Sequence, residues 1–285
     1  MRTSSLLPGT NPLKIKEISS GQNPFFKKLL RLNGSRGIKK FGLALLSGGR
    51  NVKEVLEYFP DRCTGLVTYS MDLLKSIVPR RLHHPVYLLP RKLFNLLDFH
   101  GTGKPIAILK VGPFRQWDES LHRRGCVLFL PFQDPANVGA AIRSAAAFGV
   151  KRVVLLEEAA HPFHPKCLRA AGSTIFHTEL MTGPSLSNFF TLSLPLLVLS
   201  PRGRDVSTYQ FPEAFGLLAG LEGPGVPEGL NWTESLAIPM EKNIDSLNAG
   251  MAVGIALYQW RSSIADGRAK GEEECRERGQ FEAYR

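Results

Sequence analysis

The amino-acid sequence predicts a two-domain α/β protein whose carboxy-terminal domain has a parallel sheet with helices on both faces. A chain of 285 residues is long enough for two hydrophobic cores. Short apolar runs of strand length alternate with helical patterns, as in parallel sheets that are covered on both sides. Residues 1–124 contain 22 basic and 8 acidic residues, whereas residues 125–285 contain 14 and 17. This asymmetry indicates a separate basic amino-terminal domain.

Alternating elements in the first half predict that this domain is a small α/β unit. Phe25 and Phe26 beside Lys27 and Lys28 give an amphipathic helix over 23–32. Both phenylalanines are expected in the core, and stacking on an RNA base is the alternative. The other predicted elements are strands at 41–46, 65–69 and 105–110 and helices at 52–59 and 71–77.

The polar stretch after the strand at 105–110 marks the boundary between the domains. We expect an amino-terminal domain at 1–111, a linker at 112–124 and a carboxy-terminal domain at 125–262. Residues 263–285 are rich in Arg, Glu and Gly, which is typical of a solvated helix or a disordered tail.

The second half alternates more regularly. Strands are predicted at 126–130, 152–156, 175–180, 196–199, 216–219 and 236–238, and helices at 138–148, 165–171 and 246–260. Asn137 and Ser246 are expected to cap the first and last of these helices, and Gly149 to end the first. In the last helix, Gly250 and Gly254 permit close approach of another element. Its apolar face belongs in the core or, as a sharper hypothesis, at a subunit interface; the face comprises Leu247, Met251, Ile255 and Tyr258.

The amino-acid composition indicates which kinds of partner and cellular location suit this protein. A net charge of +11 and a pI near 9.7 imply a polyanionic partner, nucleic acid first, with a basic surface kept for solubility as the alternative. The four cysteines form no CxxC pair, which favours a reducing cytoplasm. No apolar run is long enough to cross a bilayer, and no signal peptide is expected. His161 and His164 lack further ligands at metal-binding spacing, so no metal is expected.

Three motifs follow one another in the second half. They are Asp134-Pro135-Ala136-Asn137-Val138-Gly139 with Arg143, Leu218-Ala219-Gly220-Leu221-Glu222-Gly223-Pro224-Gly225, and Ile238-Pro239-Met240 followed by Asp245-Ser246-Leu247-Asn248. Together they resemble the signatures of the SpoU/TrmH family of RNA ribose 2′-O-methyltransferases, in the SPOUT superfamily. The resemblance implies a deep trefoil knot in the carboxy-terminal domain, which general topology rules would not predict.

The first half is similar to the small ribosomal-protein-like RNA-binding domain of many family members. Three departures from the family pattern stand out. Gly48 occupies a position where the family often has Glu, and Ala170 one where it commonly has Ser. After Asn248 this chain has Ala249-Gly250, where the family often has Val-Ser.

The resemblance also implies a binding site for S-adenosylmethionine. Glycines after an apolar strand allow backbone to approach a ligand closely, although a tight turn is the plain alternative for the segment 220–225. The residues that the resemblance assigns to the cofactor are Leu199, Gly220, Glu222, Gly223, Ile238, Met240 and Leu247.

Arg143 is the residue that we expect to matter most for catalysis. The alternative role is a structural ion pair, for example with Glu222. Since a guanidinium does not give up its proton, Arg143 is expected to grip an RNA phosphate and polarise the ribose 2′-hydroxyl, with phosphate or water taking the proton. Asn137, Asn248 and Ser246 would orient the ribose; by themselves, Ser246 is an N-cap and Asn248 a first-turn residue. The residues assigned to catalysis are Arg143, Asn137, Glu222, Ser246 and Asn248.

The sequence thus predicts methylation of a ribose 2′-hydroxyl in structured RNA, with ribosomal RNA favoured over transfer RNA. The family resemblance implies a homodimer that forms through the carboxy-terminal domain and shares its active site. The alternative is a non-catalytic RNA-binding protein that keeps the fold.

Overall fold

A computed structural model describes residues 14–78, 83–188, 192–220 and 230–264. The chain divides into two compact units. Unit 1 comprises residues 1–113 and 161–176, and unit 2 comprises residues 114–160 and 177–285. Residues 161–176 therefore group with unit 1, although the sequence analysis placed them in the carboxy-terminal domain. From residue 265 onward, the predicted tail lies outside the described residues.

Strands and helices alternate along much of the chain, as the sequence predicts. The strands are β1 (Ile15–Glu17), β2 (Leu43–Ser47), β3 (Cys63–Thr68), β4 (Val86–Leu88), β5 (Ile106–Lys110), β6 (Arg115–Gln116), β7 (Gly125–Leu130), β8 (Arg152–Leu155), β9 (Glu179–Thr182), β10 (Leu196–Asp205), β11 (Ala214–Ala219) and β12 (Glu234–Ala237). The helices are α1 (Pro24–Leu30), α2 (Ser35–Phe41), α3 (Gly49–Tyr58), α4 (Met71–Lys75), α5 (Arg91–Leu97), α6 (Pro135–Ala147), α7 (Pro165–Ala171) and α8 (residues 249–264).

Unit 1 is built on a five-stranded mixed sheet in the order β1-β4-β3-β5-β2. Asn23 begins α1, since its side-chain oxygen accepts hydrogen bonds from the backbone N–H groups of Phe25 and Phe26. Phe26 is buried in the core, and Phe25 packs against that core and stacks on Tyr87 with ring centroids 4.4 Å apart. The predicted helix is confirmed, and so is the core position of Phe26, whereas Phe25 is only partly buried.

Four elements of unit 1 are not predicted from the sequence, namely β1, α2, β4 and α5. β1 and β4 are only three residues long, too short for alternation to be recognised. α2 follows α1 so tightly that a Cβ at Gly37 would lie 1.9 Å from the carbonyl oxygen of Arg31. Only glycine permits this turn, and a glycine inside a helix conceals the helical pattern.

Residues 161–176 add α7 and a 3-10 helix (Gly172–Phe176) to unit 1. The Phe176 ring lies 5.3 Å from the Phe59 ring, and the Ser173 hydroxyl donates a hydrogen bond to Glu54. Gly172 adopts φ +62°, where a Cβ would lie 2.8 Å from Oδ1 of Asn51. The strand predicted at 175–180 is therefore wrong at its start. β9 begins only at Glu179, because Phe176 packs on the ring of Phe59, the residue that follows α3, and does not continue a strand.

Unit 2 is built on a seven-stranded sheet in the order β12-β10-β11-β7-β8-β9-β6. Neighbouring strands run parallel throughout the described sheet. Its centre is apolar and buried, as Val127, Phe129, Val154 and Leu218 illustrate. The predicted α/β fold with a parallel sheet is confirmed.

Cys63, Cys126 and Cys167 are buried free thiols.

Two predicted helix caps are wrong. α6 begins one turn earlier than expected, because Asp134 accepts the backbone N–H of Ala136 and Pro135 suits the first helical position. Asn137 therefore lies within the first turn and is not the cap. α8 begins at residue 249, and its cap is Asn248, whose Oδ1 accepts the backbone N–H of Met251 at 3.1 Å. Ser246 lies before the helix. Gly149 follows the end of α6 with φ +81°, as expected of a terminating glycine.

Two glycines bring α8 directly onto α6, as the sequence predicts. A Cβ at Gly250 would lie 2.9 Å from Cβ of Ala140, and one at Gly254 would lie 3.1 Å from Oγ of Ser144. Farther along α8, buried Trp260 packs edge-on against Phe215 of β11. Within the described part of the chain, every helix is too short or too polar to cross a bilayer.

His161 gives unit 1 a defined response to acid. Burial is the main cause that lowers the pKa of His161 from 6.5 to about 4, with smaller contributions from the charges of Lys39 and His164. Its Nδ1 accepts the backbone N–H of Phe163 at 3.2 Å, which requires a neutral ring. The unfolded chain takes up this proton below pH ~6.5, whereas the folded chain does so only near pH 4. Stability therefore falls as the pH decreases from 6.5 to 4.

We expect His161→Gln to reduce this acid sensitivity. Between pH 7 and pH 4.5, the free energy of unfolding of the variant should fall by about 2 kcal/mol less than that of the wild type. Urea denaturation at the two pH values measures the difference. His83→Gln serves as control, since His83 is exposed. An equal loss in the His161 variant and the wild type would contradict the prediction.

Candidate functional site

A cavity of about 540 Å³ lies in unit 2, beside residues 199–201 in the middle of β10, at the ends of β11 and β12 and at the start of α8. In parallel α/β sheets, ligands bind beyond the carboxyl ends of the strands, so the position of this cavity is that of a ligand site. Its volume is within the usual range for small-molecule pockets. It is lined by Asn137, Leu199, Ser200, Pro201, Ala219, Gly220, Leu236, Ile238, Met240, Asp245, Ser246, Leu247, Asn248, Ala249 and Ala252.

One row of the sheet contributes three apolar residues to the cavity wall. Leu199 of β10 pairs with Ala219 of β11 on one side and with Leu236 of β12 on the other. All three line the cavity. This apolar row suits the flat face of an aromatic ring system.

β10 has a bulge beside the cavity. Both Leu199 and Arg204 pair with Leu236, so residues 200–203 leave the ladder. Ser200 and Pro201 of this bulge line the cavity. The bulge returns to the sheet at Gly203, where a Cβ would lie 2.5 Å from the backbone carbonyl group of Ser235. Only glycine allows that approach of two backbones.

Asn137 and Asn248 meet at the edge of the cavity. Nδ2 of Asn248 donates a hydrogen bond to Oδ1 of Asn137 at 2.7 Å. Oδ1 of Asn248 caps α8 through the backbone N–H of Met251, so both ends of its amide are engaged. Residues 111 positions apart are thereby held together, one at the start of α6 and the other at the start of α8.

The structure brings together most residues that the sequence assigned to the site. The cavity is lined by five of the seven assigned to the cofactor: Leu199, Gly220, Ile238, Met240 and Leu247. It is also lined by three of those assigned to catalysis: Asn137, Ser246 and Asn248. Glu222 and Gly223 lie outside the described residues.

Arg143 is not among the residues that line the cavity. It lies six residues after Asn137 on α6, about 9 Å along the helix axis, and its side chain is exposed. Within α6, Arg143 shares an exposed face with Ala136 and Ala147.

The cavity is also lined by Ser200, Pro201 and Asp245, for which the sequence predicts no role. Asp245 stands in the third motif, so the motif itself could have pointed to it. For Ser200 and Pro201 the sequence held only the signal of a proline just beyond an apolar run. The bulge that aims them at the cavity depends on pairing between β10 and β12, which is a long-range feature.

The cavity adjoins a more polar recess of about 370 Å³, lined in part by Asp205, Glu241 and Lys242. The backbone N–H of Ser207 donates to Asp205 at 2.8 Å, and this hydrogen bond lowers the pKa of that carboxyl below its usual range. Asp205 is therefore negatively charged near neutral pH. No cluster of three or more potential metal ligands occurs among the described residues.

Comparison with known proteins gives matches to both halves of the chain. The sequence model of the SpoU rRNA Methylase family matches residues 126–258. The chain is 45% identical over 250 residues to the ribosomal RNA small subunit methyltransferase G 2 of Syntrophobacter fumaroxidans, which covers 87% of this chain and 49% of that protein. The chain thus spans about half the length of this relative.

A second relative matches along its whole length. The chain is 27% identical over 265 residues to the 23S rRNA (guanosine(2553)-2′-O)-methyltransferase of Bacillus subtilis, which covers 87% of this chain and 100% of that protein. Among solved structures, the AdoMet-bound rRNA methyltransferase of Sinorhizobium meliloti superposes with a TM-score of 0.70 at 22% identity, over 87% of this chain and 98% of the other. This likeness shows that the two proteins share a fold.

The contact at Gly250 leads to a stability prediction. We expect Gly250→Ala to lower the free energy of unfolding by about 1 to 3 kcal/mol, because the added methyl group would force α8 away from Ala140. Gly112→Ala is the control, since nothing lies within 4 Å of its Cβ position. Urea denaturation measures both variants. Equal stability of the Gly250 variant and the wild type would show that the two helices are not closely packed.

Proposed function

Because the chain belongs to the SpoU rRNA methylase family, we propose that it is an RNA methyltransferase that uses S-adenosylmethionine and methylates a ribose 2′-hydroxyl of ribosomal RNA. The observation that carries this proposal is the cavity at the strand ends, where the motif residues meet. The Bacillus subtilis relative, which matches over its full length, is named as a 2′-O-methyltransferase of 23S rRNA.

The cavity fits S-adenosylmethionine in size and lining. The apolar row of Leu199, Ala219 and Leu236 would hold the adenine ring, and Ile238 and Leu247 would close around it. Asp245 would face the positively charged part of the ligand. Bound there, S-adenosylmethionine supplies a sulfonium methyl group that a nucleophilic oxygen can accept.

The protein's own contribution would be to orient the ribose and to activate its hydroxyl. The paired amides of Asn137 and Asn248 form a rigid polar edge beside the cavity, suited to hydrogen bonding with ribose hydroxyls. Ser246 adds a hydroxyl on the same rim. Because each amide of the pair restrains the other, the ribose would meet groups that are already in place.

Arg143 would act on a neighbouring subunit's site in a homodimer. It is absent from the lining of its own chain's cavity, yet it lies on the exposed face of α6. Exposed Met251 and Tyr258 extend this surface along α8, and the ring of Tyr258 lies 6.0 Å from that of Phe148 at the end of α6. Such a face of small and apolar residues favours pairing with a second copy, as proposed from the family resemblance. Arg143 would then grip an RNA phosphate and polarise the 2′-hydroxyl, with phosphate or water taking the proton.

Three further features belong to the same proposal. Residues 1–111 would form the RNA-binding domain, joined by a linker at 112–124 to the methyltransferase domain at 125–262. We infer a trefoil knot in unit 2; the placement of β10 between β11 and β12, with α8 folded back on α6, supports it. A reducing cytoplasm is the proposed location, supported by the three buried free thiols.

The first prediction from the proposed function concerns methyl transfer. The wild type should transfer label from tritiated S-adenosylmethionine to total RNA of a strain that lacks the gene, into linkages that resist alkali. Arg143→Ala should lower the initial rate by at least ~10²-fold, and Arg143→Lys should also impair it, since lysine lacks the planar fork. Arg261→Ala, an exposed arginine at the other end of α8, is the control. Tight RNA binding without label would favour the non-catalytic alternative.

The second prediction tests whether the active site is shared. Arg143→Ala and Ala252→Trp should each be inactive as homodimers, the second because the indole fills the cavity. After mixing and subunit exchange, about a quarter of the wild-type activity should return, because half of the dimers are mixed and each has one intact site. Mixed dimers without any recovery would show that Arg143 acts within its own chain.

A further inference from the structure

The amino-terminal unit carries a group of positive charges that the proposed reaction does not use. Three cationic groups surround the ring of Phe41: Nζ of Lys28 at 5.1 Å, Cζ of Arg31 at 5.5 Å and Nζ of Lys40 at 5.8 Å from its centroid. They come from α1, from the 3-10 turn after it and from the end of α2. The tight turn at Gly37 is what brings these segments together.

These three charges lack an acidic partner within the described part of the chain. None of them forms an ion pair there; the ion pairs of unit 1 and unit 2 involve other arginines, such as Arg50. The sequence explains this, because no Asp or Glu occurs between Glu17 and Glu54. Arg36 and Lys39 on the exposed side of α2 add to the same positive surface.

Holding like charges this close costs free energy. At physiological ionic strength, screening extends over about 8 Å, so charges gathered around one ring still repel each other. The Phe41 ring offsets part of this repulsion through cation–π attraction. An anionic ligand would relieve the rest, and a chain of phosphates would engage several cations at once.

We propose that the surface formed by Lys28, Arg31 and Lys40 around Phe41 binds the phosphodiester backbone of the substrate RNA. The inference rests on the proposed function in taking RNA as the polyanion. An anionic membrane is the other ligand with such chemistry. RNA is favoured because no large apolar side chain of the described segment 24–41 is exposed for insertion into a bilayer: Phe26, Leu29 and Leu32 are buried, and Phe41 packs against the core.

The test is the salt dependence of RNA binding by the full chain. In fluorescence anisotropy with a labelled RNA hairpin, the triple variant Lys28→Gln, Arg31→Gln and Lys40→Gln should reduce the slope of log K against log salt by about 2 to 3. The matched control removes the same charge from exposed lysines elsewhere on unit 1, through Lys53→Gln, Lys75→Gln and Lys104→Gln. This control should change the slope by less than about 1.

An equal effect of the two triple variants would overturn the proposal, since net charge alone would then explain binding. An unchanged slope in the first variant, or a loss confined to binding of phosphatidylserine vesicles, would also overturn it. If the triple variant does not fold by circular dichroism, Arg31→Gln alone should reduce the slope by about 1. Methyl transfer is measured separately, so an inactive wild type with the expected slopes would reject the proposed function and leave the RNA surface standing.

Discussion

The close contact between α6 and α8 governs the geometry of the candidate site. Gly250 lets the start of α8 lie directly against Ala140, and this brings the amides of Asn248 and Asn137 within hydrogen-bond distance. The same contact places residues 245–252 over the ends of three parallel strands, where they complete the cavity. A larger side chain in place of Gly250 would push α8 away from α6, and this single displacement would lower stability and distort the site.

In the proposed site, the sheet and the segments at its strand ends would contribute different groups to ligand binding. Three neighbouring strands at one edge of the sheet, β12, β10 and β11, provide an apolar, in-register row that is fixed by backbone pairing. Polar groups come from the loops and helix starts at the strand ends, where the chain is free to vary. The amino-terminal unit would add affinity for RNA through charge, which acts over a longer range and with little base specificity.

Local patterns in the sequence were enough to predict the α/β class and the parallel sheet, whereas the residues assigned to the cavity came from the resemblance of three motifs to a known family. The apolar run of β7 predicts a buried strand, and the glycines of α8 predict a close approach to another element; each prediction needs only a few neighbouring residues. The caps were mistaken because Asp134 and Asn137, or Ser246 and Asn248, are equally good acceptors, and only the path of the chain decides between them. The bulge of β10 and the exposed position of Arg143 depend on distant pairing, which no local pattern contains.

The excursion at 161–176 has a consequence for how the protein can be divided. The polypeptide leaves unit 2 after β8, supplies α7 to unit 1 and returns before β9. The two units are thus interleaved along the chain rather than joined end to end. A single cut at 112–124 would not separate the units, because residues 161–176 of unit 1 would stay covalently joined to unit 2. A fragment that begins at residue 125 would carry α7 and Phe176 without the residues of unit 1 that they pack on, such as Phe59. Unit 1 is in this sense not an exchangeable module, and any chimera with another amino-terminal domain must also replace 161–176.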